Sequence, residues 1–110
     1  MPLPNGLYKI AFDTPQGTEY GVMDLRDGRI RGGDSGMCYV GTYRQAGDRF
    51  IADLTTTQHR HVPGVVSVLG HNDMRVQLEG EADENSATVS GSSRDAPGVR
   101  FTARLTMIAD

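Results

Sequence analysis

Four groups of residues in this chain are of types that do chemistry, and the surroundings of each decide what it can do. His59-x-His61, with His71 ten residues further on, is the metal-like spacing. Histidines at i and i+2 on a strand share a face, and Asp73 or Cys38 would complete a ligand set. No second pair with metal-site spacing accompanies them and the segment reads as exposed loop, so no metal is expected. Cys38 would need a neighbouring base to act as a nucleophile; inside a strand, a free cysteine behaves as a small hydrophobe. Glu79/Glu81 and Asp83/Glu84 are spaced for acid–base work, yet they fall on a wet strand face and in a turn, where carboxylates simply solvate. Gly32-Gly33-Asp34-Ser35-Gly36 has the glycines of a phosphate cradle but no helix after it to aim amides at an anion, which makes it a hairpin turn. No catalytic constellation and no cofactor follow from these residues.

The elements that position them are strands. Tyr20 to Tyr43 reads as a meander built on Asp27-Gly28, an Asp-Gly pair between alternating runs and the strongest local signal for a type I′ hairpin. With Arg26 and Arg29 flanking the turn, Leu25 pairs with Ile30 and Met23 with Gly32 on one face, while Asp24 meets Arg31 on the other. A second reversal at 32–36 leads into a strand carrying Tyr39, Gly41 and Tyr43 on one side. Before the meander, Leu7 to Phe12 alternates so that Tyr8, Ile10 and Phe12 point inward, and Asp13-Thr14-Pro15-Gln16-Gly17 turns the chain. After it, Gln45-Ala46-Gly47-Asp48 reverses into Arg49–Thr57, with Phe50, Ala52 and Leu54 on the inner side.

Gln58 to Asp73 breaks the rhythm at Pro63-Gly64, and the cluster Val65, Val66, Val68 and Leu69 reads as a loop with one short helical turn near 63–69. Alternation returns at Met74–Ala82, continues through Ser86–Ser93 with Ala87 and Val89 facing in, turns at Ser93–Gly98, and ends with Val99–Ile108. Eight successive strands joined mostly by short reversals predict an all-β, antiparallel up-and-down barrel over residues 1–110, because closure removes exposed edges. A two-sheet sandwich is the runner-up, less favoured because sandwiches need long crossovers.

The 110 residues allow one modest core, and 14 glycines with 6% aromatics suit a turn-rich β chain. A net charge of −3 provides no field to gather nucleic acid or anionic membrane, so neither is an expected partner. A single cysteine fits a reducing compartment, and no apolar run is long enough for a signal or a membrane helix, so the expected location is the cytoplasm.

Parity sends Tyr20, Val22, Ile51 and Ile108 outward, along with one of Tyr39 and Val40. An apolar outer patch points to a protein partner, often a second copy. Bulky inward side chains fill much of a small barrel, while Gly32, Gly80, Gly91, Ala82 and Ala103 leave room near one end for a small apolar ligand.

Gly6-Leu7-Tyr8, Asp27-Gly28 followed by Gly32-Gly33-Asp34, and Tyr39-x-Gly41-x-Tyr43 together resemble the GrlR-like family, small β-barrels named for a negative regulator of type III secretion. The resemblance runs through nearly the whole chain. It implies a lipocalin-like, eight-stranded barrel that forms homodimers through an apolar outer face. Gly6-x-Tyr8 is also similar to the first-strand motif of lipocalin-like barrels, which implies an arginine of the last strand, Arg104 or Arg100, stacked on the Tyr8 ring. For function, the family implies sequestration of a transcriptional activator, a regulatory protein, by an acidic loop between strands four and five. Here that loop is Gln45–Asp48, in which Asp48 alone matches the acidic residues.

Overall fold

Period-two alternation puts apolar side chains on one face of each run and polar ones on the other, and each such run is a strand in the computed structural model, which describes residues 2–14, 17–60, 74–98 and 100–110. The strands are β1 (Gly6–Thr14), β2 (Gly17–Arg26), β3 (Arg29–Gly33), β4 (Met37–Ala46), β5 (Arg49–Gln58), β6 (Met74–Asp83), β7 (Ser86–Ser92) and β8 (Arg100–Ala109). Each pairs antiparallel with the next, and β8 pairs back onto β1, so the sheet closes into a barrel of eight strands. A sandwich would leave β1 and β8 as edges; their mutual register from Tyr8↔Met107 to Asp13↔Thr102 excludes it.

The central hairpin has the register its turn dictates. Asp27 and Gly28 both take positive φ, 52° and 83°, as a type I′ turn requires. Leu25 therefore lies opposite Ile30, Met23 opposite Gly32 and Asp24 opposite Arg31. The next two-residue turns are Gly47-Asp48, with Gly47 at φ 60°, and Glu84-Asn85. The helical turn expected near 63–69, with Val65, Val66, Val68 and Leu69, lies outside the described residues, as do Pro15, Gln16 and Val99. Among the described residues there is no helix, and so none long and apolar enough to cross a membrane.

The inward faces make one core. Tyr8, Ile10, Met23, Leu25, Ile30, Phe50, Leu78, Leu105 and Val89 are fully enclosed, and Met107 packs against them partly buried. Rings bridge the interior. Phe12 of β1 meets Tyr39 of β4, a strand it does not pair with, edge-on at 5.8 Å, and Phe101 of the adjacent β8 at 6.0 Å.

One end of the barrel is corked by residues 2–5. Leu3 is buried, its amide donates to Gln45 Oε1 at 2.7 Å, and Gln45 Nε2 donates back to the Leu3 carbonyl at 3.1 Å. Tyr8 Oη donates to the Pro4 carbonyl (2.7 Å), and Asn5 Oδ1 accepts from the Asp27 amide (3.0 Å). The segment satisfies its own backbone while filling the opening with one aliphatic side chain, something its sequence, Pro-Leu-Pro-Asn, carries no periodicity to announce.

Candidate functional site

At the barrel end opposite the cork, Tyr39 and His59 converge on Asp34 and its loop. The β3–β4 connection is short, so Asp34 can fold its carboxylate back over its own loop. Its Oδ1 accepts from the amides of Gly36 (2.9 Å) and Met37 (2.8 Å), and its Oδ2 accepts from the Tyr39 hydroxyl. These are the amides a phosphate would have used. The loop supplies its own anion, which is the physical reason it is a turn and not a cradle.

His59 closes the same end. Its amide donates to the Gly36 carbonyl (2.9 Å) and its Nε2 lies 2.9 Å from the Asp34 carbonyl, tying the exit of β5 to the β3–β4 loop. His61, His71 and Asp73 lie outside the described residues, and among those described no group of three His, Cys, Asp or Glu side chains could hold a metal ion. Cys38, half-buried on β4, has Thr57 Oγ1 at 2.8 Å as its polar contact; that pair contains no base. Of the acidic pairs, Glu79 forms an ion pair with Arg49 across the wet face, and Asp83 and Glu84 stand exposed at the β6–β7 turn.

Two buried phenols respond to this packing. The Tyr8 hydroxyl is pushed up to about 12 by burial and, after it, by the neighbouring Tyr43. Tyr39 is raised further, first by burial, then by its hydrogen bond to Asp34, then by the charges of Asp34 and Glu19. A raised phenol keeps its proton in the folded chain while the unfolded chain loses it from pH 10 upward, so both contributions are complete below pH 10 and fade above it. Stability should therefore fall by about 1.4 kcal/mol per pH unit for each tyrosine between pH 10 and the folded values. Urea titrations at intervals above pH 10 measure the slope, and Tyr39→Phe should lower it by the share of one tyrosine; an unchanged slope refutes the assignment.

Compared with known proteins, the chain matches no family model. No curated protein sequence is similar to it either.

The residues that carry the family resemblance take structural places. Gly6 is required where β1 meets β8, since a side chain there would press on Met107 Cε at 2.5 Å and the Ala109 carbonyl oxygen at 2.7 Å. Tyr8 faces inward, but Arg104 and Arg100 stand exposed on the outer wall. Arg104 pairs with Ala11, whose side chain takes the opposite face from Tyr8, so neither arginine covers the Tyr8 ring. The stacking implied by the resemblance is absent because β8 has the wrong parity for it. Tyr39 points inward and Val40 outward; Tyr43 stacks on Phe50 at 5.5 Å. Asp48 is exposed at the β4–β5 turn, which is two residues long, not four.

The outward apolar residues do not form one patch. Tyr20 (69% exposed) and Val22 (43%) are neighbours on β2. Val22 lies opposite Gly33, which has no side chain, and beyond it are Cys38 and, one step along β4, Val40. Ile108 is across β1 on β8, beyond Lys9, while Ile51 is half-buried three strands away on β5 between Arg44 and Glu79. Around this β2–β4 face the structure also assembles Arg26, Arg29, Arg31 and Arg44, all exposed. The Asp27-Gly28 turn places the first three, but Arg44 joins them through the β3–β4 register. A shallow outer depression of about 490 Å³ borders this face, lined by Thr42, Asp53, Thr55, Arg75 and Gln77 among others, and it opens to solvent.

Proposed function

We propose that this chain is a non-enzymatic protein-binding barrel that works as a homodimer through the outer face of β2. The observation that carries the reading is the contrast between the two sides of the wall. Inside, rings from β1, β4 and β8 meet one another, whereas outside, Tyr20 and Val22 stand side by side in solvent with glycine next to them. Paired aromatic and β-branched residues on an exposed sheet face gain most by being covered. The resemblance described above supplies the finer form of the proposal, a lipocalin-like barrel in the cytoplasm that holds a regulatory protein of type III secretion out of action, with Asp48 at its rim. A carrier of a small apolar ligand is the competing reading, and the ring contacts across the interior weigh against it.

Sedimentation tests the dimer. The chain should run as a dimer, and Val22→Glu should weaken association by about tenfold or more, since each copy then buries a carboxylate. Ile51→Glu, on the far side between Arg44 and Glu79, should leave the dimer intact. A monomeric parent chain, or a dimer indifferent to Val22→Glu, overturns the proposal.

A further inference from the structure

The arginines beside that apolar strip are arranged against their own interest. Arg26 and Arg29 face each other directly across the β2–β3 ladder, where like charges are destabilising. Arg31 follows on the same face of β3, and Arg44 projects from β4 beside them, all four exposed. The carboxylate on this stretch of wall is Asp24, which lies opposite Arg31 in the ladder but forms its ion pair with Arg26 at 3.5 Å. Asp27, at the turn, is held by Asn5, whose Nδ2 donates to its Oδ1 at 3.0 Å. Arg29, Arg31 and Arg44 form no ion pair or side-chain hydrogen bond among the described residues. Elsewhere on the barrel Arg49 is matched with Glu79 and Arg75 with Asp95, and Arg100 and Arg104 of β8, unpaired among the described residues, lie opposite Ser92 and Thr88, not opposite another arginine. Four arginines less Asp24 and the turn's Asp27 leave +2 on this part of the wall, in a chain whose net charge is −3.

We propose that this face docks an acidic segment of a partner protein, in which Asp or Glu side chains alternate with apolar ones. Carboxylates would take the free forks of Arg29, Arg31 and Arg44, and apolar residues would cover Val40, which is 56% exposed and lies opposite Arg31. The net negative charge of the chain repels the parts of a long polyanion such as nucleic acid that reach beyond this face, and leaves a short local complement as the fitting partner. An isologous contact between copies over this part of the wall would set arginine against arginine, so the second copy belongs on the Tyr20–Val22 part and the acidic segment here. The inference deepens the protein-binding reading and rests on it.

The test is fluorescence anisotropy with the full chain and a short labelled peptide alternating Glu and Leu, beside a Lys/Leu peptide and a single-stranded oligonucleotide. The acidic peptide should bind, weaken with added salt, and lose about tenfold or more in affinity for the Arg29→Glu/Arg31→Glu chain. Arg100→Glu/Arg104→Glu makes the same charge change on β8 and should bind like the parent. Arg29→Glu relieves the clash with Arg26 while Arg31→Glu sets a carboxylate opposite Asp24, so the first double variant should melt close to the parent; Arg44→Glu, which has neither partner, is a second probe of the same face. No binding of the acidic peptide, equal losses in the two double variants, or tighter binding of the oligonucleotide each overturn the proposal. A chain that binds the peptide yet sediments as a monomer removes the homodimer and keeps this face; a dimer that ignores the peptide does the reverse.

Discussion

Gly41→Ala should destabilise the barrel by at least about 2 kcal/mol, read as a lowered urea midpoint with unchanged m-value. Gly41 lies opposite Leu54 on β5, and a Cβ there would sit 2.6 Å from the Leu54 Cα and closer still to the Asp53 carbonyl oxygen. Both are backbone atoms, so no rotamer change can relieve the overlap; β4 and β5 would have to separate. Shortening Leu54 to alanine leaves both of those atoms in place and should not rescue the variant. Gly32 and Gly80 back onto the carbonyls of Val22 and Thr88 in the same way, which suggests that the tight coiling of a small barrel demands glycine at these inward positions. An unaltered midpoint would mean the strands are free to part.

Phe12→Ala should have an effect at least as large, about 3–5 kcal/mol. Its ring joins Tyr39 across the interior and Phe101 on the neighbouring β8, so truncation removes both contacts at once and leaves a hole that the closed sheet cannot collapse to fill. The same experiment separates the two functional readings. In a filled barrel the loss is large and small aromatic molecules added to the variant restore part of it, as apolar cavities accept such guests. In a carrier the native interior would already tolerate vacancy, the loss would be small, and apolar molecules would accompany the parent chain in native mass spectrometry.

Much of this architecture is legible in local pattern. Tyr8, Ile10, Phe12, Phe50, Leu78 and Phe101 are assigned inward by alternation alone, and the structure buries each of them. The β2–β3 register follows from two turn residues because a two-residue I′ loop leaves no other pairing. Leu3 was not legible, since a single aliphatic between two prolines has no period, and its burial depends on Gln45 arriving from β4. Nor was Asp34, whose part requires knowing that Tyr39 turns its hydroxyl back toward the loop.

The apolar outer residues show where the boundary lies. Alternation places Tyr20, Val22, Ile51 and Ile108 outside, and for none of them does the barrel reverse that side. Whether they meet is another matter, since distance around a closed wall depends on stagger summed over several ladders. Strand order keeps Ile51 three strands from β2, and the β3–β4 register sets Arg44 one step along the face from Thr42, the partner of Arg29. The sequence by itself determined which way each side chain faces, because that is a property of one strand and its turn. Only the tertiary structure decided which outward residues are neighbours, which phenol reaches which carboxylate and what corks the end, because each joins strands whose relative position no local period records.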